Sequence, residues 1–228
     1  MAVPSPASVP LVETGVFDYP LVLTAELEEQ RAELRNVLRD AQRRLVRFAA
    51  THGWIAHLDE PFATGARIFG TKAGFDRAVI ALTGAPAATI LPRSYSAALE
   101  GGVLIGVSPA LYAANTPQGG EKGEYEKLVT HEFAHRLHIR LLDGHEDDMG
   151  PMWFFEGFAC YAAGQFSGDL AEPDRALLEK VLGATRRGSY AEYAKVFRLF
   201  ARKVSLADLI AEPRKPAFAA WAKKQAGL

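Results

Sequence analysis

Residues 128–138 read LVTHEFAHRLH, two histidines four positions apart in a segment whose apolar residues Leu128, Ala134, Leu137 and Leu141 recur at helical spacing. The helical pattern starts at Glu124, and Asp143-Gly144 supplies a stop. A helix with two imidazoles on one face can aim both at one point. The next helical segment begins near Pro151 and runs through WFFEGFACYAAGQF, where Gly157, Ala159, Ala162, Ala163 and Gly164 are small enough for close helix approach and Glu156 stands 21 positions after His135.

Because residues four apart share a helix face, His131 and His135 can aim at one point roughly 2 Å from each nitrogen, where Zn²⁺ would sit. Glu132 lies about 100° around the helix, beside that point, as suits a base that holds a metal-activated water without ligating. A catalytic zinc takes three protein ligands and keeps one position open, and Glu156 is the expected third ligand. The bland alternative is a helix with two satisfied surface histidines, and an acid that is either buried and paired with a base or simply exposed. His138, three residues past His135, points about 60° away from the histidine stripe and is not expected to ligate.

HEFAH followed about twenty residues later by WFFEGFACY resembles the gluzincin metallopeptidases, especially the aminopeptidase N-like and related peptidase MA-like members. The resemblance implies zinc held by His131, His135 and Glu156, and Glu132 as general base. It also implies a zincin-like fold, with the motif helix as the floor of a cleft below a small mixed sheet and a mostly helical lower lobe. In that family a tyrosine opening a later helix donates to the tetrahedral oxyanion. SYAEYAKVFRLF is similar, with Tyr190 in that place and Tyr193 one turn later as the competitor. The family further implies that the strand in EGGVLIGVS lines the cleft, offering the edge at Val103, Leu104, Ile105 and Gly106 to an extended substrate.

Departures from the family pattern matter too. Where several members carry a carboxylate four residues after the glutamate ligand, this chain has Cys160, so a group elsewhere must orient the ligating histidine. The amino-terminus-binding signature of aminopeptidases is absent, which leaves aminopeptidase activity unsupported. The expected function is zinc-dependent hydrolysis of a peptide or protein substrate. The alternative is a non-catalytic zinc-stabilised relative that binds a partner in its cleft.

The remaining chain supplies context. Residues 1–23, with Pro4, Pro6, Pro10 and Pro20, suggest an extended arm, conceivably one that crosses the cleft as a latency segment. Thr24 to about Ala50 reads as a long amphipathic helix with acids early and Arg43, Arg44 and Arg47 late. ARIFG (66–70), AVIAL (78–82), ATILP (88–92) and GVLIGVS (102–108) read as strands of one small sheet. Helices follow in PDRALLEKVLG and SYAEYAKVFRLFARK, with two short ones after them, so the class is α+β. One catalytic domain is expected over residues 24–228, its upper lobe ending near residue 142.

A formal net charge of −1 lacks the basic footprint of a nucleic-acid binder. A single cysteine, Cys160, excludes an internal disulfide and is compatible with a reducing, cytoplasmic setting. No run of about 18 apolar residues suggests a membrane anchor. The acidic loop His145–Glu146–Asp147–Asp148 reads as a solvated rim that favours basic substrates.

Overall fold

The computed structural model describes residues 11–168 and 171–228. Within them, helices combine with two small sheets. The chain opens with a hairpin of β1 (Leu11–Glu13) and β2 (Val16–Phe17), followed by β3 (Leu21–Leu23), a 3₁₀ segment (Ala25–Gln30) and α1 (Arg31–Thr51). The first ten residues of the expected arm lie outside the described residues. The rest of it is no free arm: Val16, Phe17, Tyr19 and Leu21 are buried, and β3 pairs with the main sheet. Gln42 of α1 fastens this segment, its side-chain oxygen accepting from Phe17 N at 2.8 Å and its amide donating to Phe17 O at 3.0 Å. The late arginines of α1 are spent on tertiary pairs rather than on its helix dipole, since Arg44 donates to Glu126 at 2.7 Å and Arg43 to Glu13 at 2.5 Å.

The main sheet has the order β3-β4-β6-β5, with β4 (Gly65–Phe69), β5 (Ala97–Glu100) and β6 (Val103–Val107). β3, β4 and β6 are parallel, and β5 joins antiparallel at the edge. Two of the four expected strands, at 66–70 and 102–108, occur. The other two do not. AVIAL belongs to α2 (Lys72–Thr83), because Thr71 caps its start by accepting from Gly74 N, Gly84 ends it at φ 67°, and Phe75 and Val79 bury one face at i, i+4. A parallel β4–β6 pair also needs a crossover between its strands, which α2 provides. ATILP forms no regular element, and Ile90 is left 92% exposed.

α3 (Pro109–Asn115) leads to α4 (Glu124–Leu141), the HEFAH helix, which ends as expected at Asp143 and Gly144, both at positive φ. α5 (Met152–Ala163), α6 (Arg175–Leu182), α7 (Tyr190–Lys203), α8 (Leu206–Ala211) and α9 (Phe218–Ala226) follow, with no strand among the described residues after β6. α4 packs between α1 and α5, and α5 packs on α7. Phe154 and Phe158 of α5 meet Phe197 of α7 with ring centroids 5.3 and 6.0 Å apart. α4 is tied to the sheet by Tyr125, whose hydroxyl donates to Val107 O at 2.6 Å. No described helix is long and apolar enough to cross a membrane.

Candidate active site

His131 and His135 project from the middle of α4 and Glu156 from the facing turn of α5. His131 Nε2 lies 3.0 Å from Glu156 Oε2 and 3.1 Å from His135 Nε2, and His135 Nε2 lies 3.5 Å from the same carboxylate oxygen. Donor atoms bound tetrahedrally at zinc's usual N and O distances stand roughly 3.3 Å apart, so the spacing fits one small divalent ion. These three residues form the metal-ligand-type cluster found among the described residues.

The tautomer of His131 points the same way. With Gln165 Oε1 accepting from its Nδ1–H at 2.9 Å, a neutral His131 would turn its Nε2 lone pair toward Glu156 and His135. Three lone-pair-bearing atoms then converge, and only a cation between them, a proton or a metal ion, makes the arrangement favourable. Burial alone would depress the pKa of His131, but Cys160, Glu156 and Glu132 outweigh it and raise it well above the ordinary value. Burial would likewise raise Glu156, yet hydrogen bonds from His131 and His135 prevail and hold it far below the usual carboxylate range.

Gln165 was not foreseen, although the local chain carries its signal. Gly164, at φ 70°, closes α5 with Gly164 N donating to Tyr161 O and Gln165 N to Cys160 O at 2.9 Å. This turn brings residue 165 back to the level of Cys160, one helical turn past Glu156. Gln165 thus contacts the His131 ring at Nδ1, 2.9 Å away. Cys160 itself is fully buried, its Sγ 3.6 Å from His131 Nδ1.

Glu132 follows His131 on the cleft side and lines a cavity of about 690 Å³ together with His131, His135, Glu156 and Tyr190. Burial raises the Glu132 carboxyl above its ordinary value, against the opposing pull of His131 and His135. The two tyrosines part company. Tyr190, the first residue of α7, donates to Glu156 Oε1 at 3.0 Å, while the Tyr193 hydroxyl turns away to accept from Gly188 N. A second unforeseen residue, Arg187, donates through Nη1 to Tyr190 Oη at 2.5 Å and stands 3.2 Å from Glu156 Oε1. It precedes its helix in an irregular segment, where no periodicity marks it.

The expected substrate edge is displaced by one strand. β6, carrying Val103, Leu104, Ile105 and Gly106, is hydrogen-bonded to β4 on one side and β5 on the other, so it has no free edge. The outer strand is β5, and Ala97, Ala98, Leu99 and Glu100 line the cavity. The sequence hid this strand because AALE is short and directly joined to β6 by Gly101-Gly102. At the far rim Glu146 and Asp147 line the cavity, while Asp148 pairs with Arg214 at 3.2 Å. His138 is buried between α4 and α5, its ring 4.5 Å from that of Phe158, and lies outside the cluster.

Comparison of the chain with models of known families, with curated proteins and with solved structures finds no match.

Proposed function

We propose that this protein is a zinc-dependent peptidase of the gluzincin type, with a zincin-like arrangement of sheet, cleft and motif helix. The observation that carries the reading is the convergence of His131, His135 and Glu156 to within ion-binding distance, with Glu132 beside them in the cleft. A structural metal site has no need of a free acid there. The Glu132 carboxylate makes no hydrogen bond or ion pair to any described residue, and it faces the cavity.

A bound zinc ion would lower the pKa of a coordinated water from about 15.7 to about 7 and polarise a substrate carbonyl. Within that setting Glu132 accepts the attacking water's proton and later delivers it to the leaving amine. Its raised pKa brings it nearer the range in which one group can do both. Tyr190, whose one O–H donates to Glu156, would turn it to the developing oxyanion during catalysis. Gln165 keeps His131 in the ligating tautomer. The free edge of β5 offers backbone groups to an extended polypeptide, which supports peptides rather than small esters as substrates.

The decisive experiment is Glu132→Gln. Peptide hydrolysis should fall by at least about 1,000-fold, a loss within the range for removing a general base that also positions the water. Zinc content measured on the same material should stay at one ion per chain. Retained turnover would overturn the proposed role of Glu132. Zinc-loaded wild-type protein that cleaves nothing in a broad peptide library would leave a metal-stabilised binding cleft instead.

A further inference from the structure

A second chamber of about 460 Å³ adjoins the first beside His131 and Glu132. The first cavity runs along α4 from His131 to Ile139, whereas this chamber is lined by Leu128, His131 and Glu132, nearer the helix start. The two meet at Tyr95, Ala97, His131, Glu132, Arg187 and Tyr190. Away from that junction the chamber wall is largely apolar, built from Val79, Leu91, Tyr112, Leu128 and Phe166.

Arg187 is the one lysine or arginine among the described residues lining this chamber. Its side chain is about half exposed, and its contacts to Tyr190 and Glu156 leave further N–H donors of the guanidinium unused. Its planar fork matches a carboxylate, and the apolar surroundings strengthen such a pair. A fixed cation at the mouth of an apolar chamber, directly beside the candidate catalytic groups, selects a ligand with an anionic head and an apolar body.

We infer that the chamber receives the C-terminal residue of a peptide, with its free α-carboxylate on Arg187 and its apolar side chain among Val79, Leu91 and Phe166. This inference rests on the peptidase reading and narrows it to a carboxypeptidase acting on apolar C-termini. The bond cut is then the last peptide bond. Water oxygen joins the carbonyl carbon, the C–N bond breaks, and Glu132 carries the water's proton to the departing amine. The products are a shortened peptide and a free apolar amino acid. An internal bond would instead set a neutral amide against the guanidinium.

The test compares two peptides identical except that one ends in a free leucine carboxylate and the other in leucine amide. Calorimetric binding to the zinc-loaded Glu132→Gln protein should favour the free acid by at least tenfold. Arg187→Met should reduce that ratio to near one, and Arg187→Lys, which keeps the charge but not the fork, should retain part of it. Should Arg187→Met not fold, the lysine variant and the wild-type comparison still decide. With wild-type protein, free leucine should be released from the acid only. Equal binding and equal turnover of both peptides, or cleavage confined to internal bonds, would overturn this inference alone. An equal loss of turnover on both peptides in Arg187→Met would assign Arg187 to the chemistry and likewise overturn it. No turnover of any peptide would sink the peptidase reading and this inference with it.

Discussion

At the scale of single residues, Gln165 and His138 separate a polar group in use from one merely enclosed. Gln165 holds the His131 tautomer, so Gln165→Ala should weaken zinc binding by about 10- to 100-fold, as removal of such supporting groups does. Competition against a chelator of known affinity would read this, and an unchanged constant would remove Gln165 from the metal site. His138 is different. Both of its ring nitrogens are buried without a partner, and burial, followed by the charge of His135, lowers its pKa to about 3. The unfolded chain therefore binds a proton below about pH 6.5 that the folded chain refuses, and stability is lost as pH falls from 6.5 toward 3. His138→Met should accordingly stabilise the protein, and by about 2 kcal/mol more at pH 5 than at pH 8. Urea melts of variant and wild type at the two pH values would show whether the gap widens on acidification.

At the scale of elements, the small residues of α5 and the strand at 78–82 show where local pattern leads and misleads. The stripe of glycine and alanine correctly announces close helix packing, yet Gly157 serves α7 rather than α4. A Cβ there would lie 2.8 Å from Phe197 Cβ and 3.0 Å from Tyr193 O, and backbone cannot step aside as a flexible side-chain tip can. Gly157→Ala should cost about 1–3 kcal/mol through overpacking. Thermal unfolding followed by circular dichroism should show a drop of roughly 2–4 °C per kcal/mol. An unshifted midpoint would mean that α5 and α7 are not locked as described. AVIAL misleads because five consecutive apolar residues fit a buried strand and a helix equally; Thr71, Gly84 and the Phe75–Val79 spacing decide for the helix. The ligand spacing, in contrast, was legible, because it depends on one helix's own geometry.

At the scale of the whole molecule, the segment expected to be an extended arm on the surface or across the body is bound into the architecture from Val16 onward. β3 pairs in register with β4 at Leu21–Ala66, Val22–Arg67 and Leu23–Ile68, and Tyr19 packs on Phe133 of the motif helix at 5.6 Å. Deleting residues 11–23 should therefore abolish cooperative folding rather than release activity from a latent state. A soluble truncated protein with undiminished helix signal and zinc binding would refute this. By itself the sequence determined the helix that carries His131, Glu132 and His135, the next helix that carries Glu156, and the succession of helices after residue 124. Each follows from a period or a terminator within a few residues. Only the tertiary structure decided which strand is outermost in the sheet, that Gln165 reaches His131 Nδ1, and that Arg187 lines both cavities. Those relations are set by chain segments that meet through packing, and no local spacing encodes which segments will meet.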